Sequence, residues 1–295
     1  MRTPEVVTID GARPGPRVVI TSGVHGGEFV GIEAAARLAA ELEAAEVSGQ
    51  VVICPVANPP AVYGGRTALS PLDQVNMNRV FPGSADGGPT EQLAAWLFET
   101  LLPGADAYLD LHSGGIDEVL CDFTGYRTSG VKAVDTTARE LAHAVGYEYV
   151  VSSPDAKGGN SHAAAARAGI PAVLIETGEL GRSDKADVDK AVVGVRRALA
   201  HLGVLNGAVS GTWQDEWVWV SGITAGRPGL WYPAFAAGGD VDQGELIGRI
   251  VDPVSGETRA VLSDARGRVL YGMHGRTVDT GAELAAIAAP ADGAV

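Results

Sequence analysis

The 295-residue chain is short of several things. It has 2 cysteines, 22 Lys+Arg against 36 Asp+Glu, and aromatic residues at 6%. No run approaches the ~18 apolar residues that span a bilayer, which excludes a membrane-spanning helix. The shortage of cations leaves a formal net charge of −14. So acidic a surface repels phosphate backbones, and no Lys/Arg cluster offsets it locally, which excludes nucleic acid as the expected partner. Two cysteines cannot make a disulfide framework. Cys54 in VVICPV and Cys121 in VLCDF both sit in strand-like runs and are expected as reduced core thiols. The opening MRTPEVVTID lacks the basic-then-apolar pattern of a secretory signal. A cytoplasmic location is therefore expected. What is present is an ordinary apolar fraction, 46%, enough for a packed core.

Short β-branched runs alternate with Ala-rich helical stretches over the first two-thirds. Strands are expected at Arg17–Gly23, Val51–Val56, Tyr108–Leu111, Tyr147–Ser152 and Pro171–Glu176. Helices are expected at Phe29–Ala45, Thr90–Leu102, Val131–Val145, His162–Ala168 and Lys185–Leu202. That alternation predicts an α/β domain over residues 1–206, with a mixed, largely parallel sheet and helices on both faces. After the turn-rich NGAVSGTW the texture changes to short alternating runs such as WVWV and GLWYPAF, broken by Gly, Pro and Asp. Residues 207–295 are expected to form a small all-β C-terminal domain.

Ligands of such a sheet sit beyond the carboxyl ends of its strands. After the first strong strand comes Gly23-Val24-His25-Gly26-Gly27-Glu28, which puts an imidazole and a carboxylate at a loop entering a helix. The strand Tyr108-Leu-Asp-Leu-His112 ends in a second histidine. Two histidines and one carboxylate with a position left open form the donor set of a catalytic zinc site. Strand alternation puts Asp110 on the same side as His112, as a carboxylate behind the ligand. Each piece has an ordinary alternative: an HxxE pair is often a solvated helix start, and a histidine after a strand is often a hydrogen-bonded loop residue. His143, His201 and His274 suit packing or surface roles; His162, opening a helix, is within reach of the site. The long, weakly periodic stretch Asn58–Gly83 carries Arg66, Asn78 and Arg79. An arginine fork and a neighbouring amide suit a carboxylate, or equally a helix-end salt bridge and a turn cap. Glu176 ends a buried strand, where partial desolvation raises a carboxyl into the range of a general base; Glu179 follows after a Gly turn.

Taken together, GVHGGEFVGIEAA, NPPAV…R…NMNRVFPG, DLHSGG and IPAVLIETG resemble the succinylglutamate desuccinylase/aspartoacylase family of zinc carboxypeptidase-like enzymes. The resemblance runs over roughly residues 15–205, with the motifs in the family's order. RTALSPLD…NMNRVFPG and HSGG lean toward the subgroup that contains N-acetyldiaminobutanoate deacetylases. The resemblance implies a zinc-dependent deacylase of small N-acyl amino acids with one Zn(2+) per chain, bound by His25, Glu28 and His112. It further implies Glu176 as the residue that activates the attacking water, Arg66 as the residue that polarises the scissile carbonyl, and Asn78 with Arg79 as the holders of the substrate carboxylate. The β-rich tail resembles the domain that borders the site entrance in this family. One departure stands out: Glu179-Leu-Gly-Arg182 replaces the glycine pair that tends to follow the catalytic glutamate. A metallocarboxypeptidase-like peptidase is the runner-up reading, and a metal-free carboxylate-binding module a remote one. Family members assemble differently, so a homo-oligomer is left open.

Overall fold

The computed structural model describes residues 3–154, 158–207, 213–275 and 277–291. In the first two-thirds the chain runs β1 (Val7–Asp10), β2 (Arg13–Ser22), α1 (Phe29–Glu41), β3 (Ser48–Cys54), α2 (Pro89–Leu101), β4 (Ala107–His112), β5 (Glu118–Leu120), β6 (Phe123–Arg127), α3 (Lys132–Val145), β7 (Tyr149–Ser153), α4 (Ser161–Arg167), β8 (Ala172–Glu176) and α5 (Lys185–His201). Strands β3, β2, β4 and β8 pair in parallel, as do β6 and β7; β6 runs antiparallel to β8.

The two-residue strand period sorts the core into two layers. Val18, Ile20, Val51, Ile53, Leu109, Leu111, Val173 and Ile175 point to the face covered by α1, α3 and α5. Their neighbours Val19, Val52, Cys54, Tyr108 and Ala172 point to the other face, under α2 and α4. Burial on both faces is why these strands read as continuous apolar runs. Among the described residues, no helix is long and apolar enough to cross a membrane.

The remaining strands are β9 (Glu216–Thr224), β10 (Gly229–Pro233), β11 (Asp240–Val241), β12 (Leu246–Val251), β13 (Thr258–Leu262), β14 (Gly267–Met273), β15 (Thr277–Val278) and β16 (Glu283–Pro290). A β-rich tail was expected, and it is there. Its wiring differs from a detached unit: β9 pairs in parallel with β7, and β16, β14 and β11 follow, extending the main sheet. Strand β5 pairs with β14, and β13-β12-β10-β15 form a second, antiparallel sheet. Most of the NGAVSGTW turn lies outside the described residues. Strand β1 was not foreseen, and β5 and β6 were anticipated only as the strand-like run VLCDF around Cys121, because such short strands carry little periodicity. Cys54 is fully buried as expected, whereas Cys121 lies between β5 and β6 and is only partly buried.

Candidate active site

The carboxyl ends of β2, β4 and β8 converge on one place. His112 and Glu176 are register partners at the last positions of β4 and β8. The loop after β2 carries His25 and delivers Glu28 to the N-cap of α1, where its side chain makes no capping bond. That carboxylate turns inward instead. Its Oε1 lies 2.5 Å from His25 Nδ1 and its Oε2 2.8 Å from His112 Nδ1. The loop approaches the Arg66 segment so closely that Gly26 and Gly27 have no room for side chains. A Cβ on Gly26 would lie 2.1 Å from the Ala61 carbonyl oxygen, and one on Gly27 would lie 2.9 Å from that of Arg66.

One donor atom from each of His25, Glu28 and His112 lies within 4.8 Å of the other two, a spacing suited to a single metal ion. The far nitrogens are tied down. His112 Nε2 is 2.9 Å from Asp110 Oδ2, and Asp110 also accepts hydrogen bonds from Thr21 Oγ1 at 2.6 Å and from Ser161 Oγ. His25 Nε2 is 3.0 Å from Asn76 Oδ1, which also accepts the Asn78 N–H at 2.8 Å. Each Nε2 is held by an outward acceptor, so both Nδ1 atoms face the Glu28 carboxylate, the edge that a metal ion would share with it. The donor set therefore fits a divalent cation of the zinc type. Asp110 was anticipated as the carboxylate behind His112. Asn76 was missed, because nothing in NMNR separates an amide that steers a ligand from one that caps a turn.

Charge balance agrees with this arrangement. Burial would raise the Glu28 carboxyl, but the charges and hydrogen bonds of His25 and His112 outweigh it and hold Glu28 well below the usual range. Burial would likewise lower His112, yet Asp110 and Glu28 raise it well above an ordinary imidazole. Glu176 goes the other way: burial, reinforced by Glu28, Glu118 and Asp110 and opposed by His112, pushes it up to about 8. A carboxyl so placed is poised to exchange a proton near neutral pH.

Glu176, Arg66, Asn78 and Arg79 all line one cavity of about 740 Å³ together with His25 and Glu28. Arg66 holds a left-handed backbone (φ 56°), with its N–H donating to Ala61 O at 2.7 Å. A non-glycine residue kept in that region is the sort of local strain that clusters at functional sites. Asn78 Oδ1 accepts the Ser161 N–H at 2.9 Å, so the amide NH₂ is its remaining donor; Arg79 Nη1 donates to the Asn78 carbonyl at 3.1 Å. His162 also reaches the cavity. Glu179 and Arg182 do not line it: they pair with each other at 3.0 Å. The opposite wall was not foreseen. It takes Glu118 from β5, Arg127 from β6, and Tyr271 and Glu283 from β14 and β16. Glu118 and Tyr271 meet through the pairing of β5 with β14, Arg127 comes from β6 in the main sheet, and Glu283 from β16 beside β14.

A mixed α/β sheet with a His-Glu-His cluster and a half-buried glutamate at its carboxyl edge defines the class: a fold of this kind with a metal-type site at its strand ends. Residues 14–202 match the family described as the succinylglutamate desuccinylase/aspartoacylase catalytic domain. The chain belongs to that family. An N-alpha-acetyl-L-2,4-diaminobutyric acid deacetylase of Halomonas elongata is 32% identical over 254 residues, 83% of this chain and 73% of the relative. The crystal structure of a succinylglutamate desuccinylase/aspartoacylase from Rhodobacter sphaeroides superposes with TM-score 0.86 at 28% identity, covering 97% of this chain and 89% of the other. The product-bound ectoine utilization protein EutE (DoeB) of Ruegeria pomeroyi gives TM-score 0.87 at 28% identity, covering 96% and 88%.

Proposed function

We propose that this protein is a zinc-dependent amidohydrolase that removes the acyl group from an N-acyl amino acid or a similar small carboxylate-bearing amide. The observation that carries the reading is the Glu28 carboxylate facing both histidine Nδ1 atoms, with Glu176 one strand away from His112. The name of the Halomonas relative supports an acetylated diamino acid as the first substrate to try.

His25, Glu28 and His112 would hold one zinc. Bound there, zinc supplies Lewis-acid polarisation of the amide carbonyl and acidifies water toward pKa ~7. Glu176 takes the proton from the attacking water and passes it to the leaving amine. Its pKa of about 8 without a cation falls when a dication sits beside it, toward the operating pH. Arg66 stabilises charge developing on the carbonyl oxygen. Arg79, with the amide of Asn78, holds the substrate carboxylate in register with that oxygen. The cavity is bounded on its far side by Trp219, Tyr271 and Glu283 of the C-terminal strands, which favours a small amide over the open groove a carboxypeptidase needs.

The test is Glu176→Gln. It keeps the size of the side chain and removes the base. Zinc content should stay near one per chain while turnover of Nα-acetyl-L-2,4-diaminobutyrate falls ~10²–10⁴-fold. A variant that keeps most of its turnover would remove Glu176 from the mechanism. Wild-type protein purified without zinc and indifferent to chelators would remove the metal.

A further inference from the structure

The start of α4 touches both halves of the site at once. Ser161 is buried; its Oγ donates to Asp110, the carboxylate behind His112, and its N–H donates to Asn78 Oδ1 at 2.9 Å. Asn78 passes the contact on, its own N–H donating at 2.8 Å to the Asn76 Oδ1 that lies 3.0 Å from His25 Nε2. Asp110 meets His112 Nε2 at 2.9 Å, and Glu28 lies between the two Nδ1 atoms. The contacts close into a ring that runs through the ligand loop, the turn at residues 76–79, α4 and β4. Ser161 is the member that joins the turn to β4.

Two features make that joint stiff. Gly159 packs so close that a Cβ there would lie 1.9 Å from the Arg79 carbonyl oxygen, and its own carbonyl accepts the Phe81 N–H at 2.9 Å. Asn160 Nδ2 donates to the Asn78 carbonyl at 3.2 Å. A shift of the turn therefore carries the start of α4 with it. The Ser161 hydroxyl hands that shift to Asp110 through a bond to a charged acceptor, worth more than one between neutral groups and stronger away from water. Asp110 has a second support: Thr21 Oγ1 donates to its other oxygen at 2.6 Å, and Tyr108 Oη lies 2.6 Å from that hydroxyl.

Building on the deacylase reading, we propose that Ser161 is a positioning residue that couples the metal position to the anchor for the substrate carboxylate. A carboxylate held by Asn78 and Arg79 fixes the turn, the turn fixes Ser161, and Ser161 fixes Asp110 against His112. Such coupling is reciprocal: a metal at His25, Glu28 and His112 sharpens carboxylate binding by the same factor by which the carboxylate tightens the metal. Ser161 does not line the catalytic cavity and acts through Asp110 and Asn78.

The experiment is a chelator-competition titration of zinc, with and without L-2,4-diaminobutyrate, the amino acid that deacylation of the first trial substrate releases. The wild type's zinc content and its turnover of Nα-acetyl-L-2,4-diaminobutyrate test the deacylase reading separately. In the wild type the amino acid should tighten zinc ~5- to 50-fold. Ser161→Ala should weaken zinc ~10-fold and lose most of the tightening. Thr21→Val also strips a donor from Asp110 but leaves the turn alone, so it should weaken zinc and keep the tightening. Ser161→Thr keeps the hydroxyl, has a small cavity beside it for the extra methyl group, and should restore both. The thermal midpoint of metal-free S161A should stay near that of the wild type, because Asp110 keeps Thr21 and His112. No tightening in the wild type, equal tightening in S161A, equal loss in T21V, or no rescue by S161T would each overturn the proposal. If S161A loses its fold, the hydroxyl serves stability and the proposal falls as well.

Discussion

Replacing Gly26 by alanine adds one methyl group at the point where the ligand loop meets the arginine loop. The new Cβ would lie 2.1 Å from the Ala61 carbonyl oxygen, 2.5 Å from its carbon and 3.0 Å from the Arg66 Cα. Ordinary van der Waals contact begins at 3.4 Å, so the two segments must part by about 1.3 Å. Both obstacles are backbone, and no side chain can rotate away. The Gly26 N–H is also bonded to Thr67 O at 2.9 Å, which ties the loops at the same spot. Overpacking of this kind costs typically 1–3 kcal/mol, which a chain of this size survives. Function has less tolerance. His25 precedes the new methyl directly and Arg66 faces it, so the proposed metal position and the proposed oxyanion partner move apart by about an ångström, a shift worth ~10²-fold in rate. The assay is kcat/KM of zinc-saturated G26A beside its zinc affinity and thermal midpoint. A variant within threefold of wild type in rate, with unchanged zinc affinity, would refute the claim that this contact sets the site's geometry.

Asp110→Asn keeps the hydrogen-bond acceptor but removes the charge behind His112; zinc affinity should fall ~10–100-fold in a chelator competition titration, with folding retained. Glu216 on β9 accepts hydrogen bonds from His143 at 2.9 Å, from Tyr126 at 3.0 Å and from Arg139. Burial would raise its pKa, but those partners lower it from 4.5 to about 2. A depressed carboxyl stabilises the fold fully above its unfolded pKa and loses that contribution as pH falls toward the folded value. Urea titrations should show a wild-type advantage over Glu216→Gln on the order of 2 kcal/mol above pH ~4.5, shrinking toward pH ~2. A gap that does not change with pH would disprove the linkage.

Much of the candidate site could be read along the chain. His25, Glu28, His112 and Glu176 each end or follow a strand, where an α/β sheet presents its ligands, and glycines beside them mark close backbone approach. Arg66, Asn78 and Arg79 stood out because a long aperiodic stretch in a compact protein has few reasons to exist besides binding. Glu179 and Arg182, the departure from the family's pattern after Glu176, satisfy each other outside the cavity. Sequence distance to Glu176 says nothing about which way a turn faces.

Local pattern alone determined which faces of the strands are buried and which residues sit at their ends, since period and turn chemistry act over a few neighbours. Tertiary structure decided what depends on pairing between distant segments. It turned β6 antiparallel to β8, ran the sheet on through β7 into β9, and hung β5 on β14 so that Tyr271 and Glu283 close the cavity. It also decided that Nδ1 rather than Nε2 of both histidines faces Glu28, because Asn76 and Asp110 claim the other nitrogen, and a ring's orientation is fixed by its partners in space.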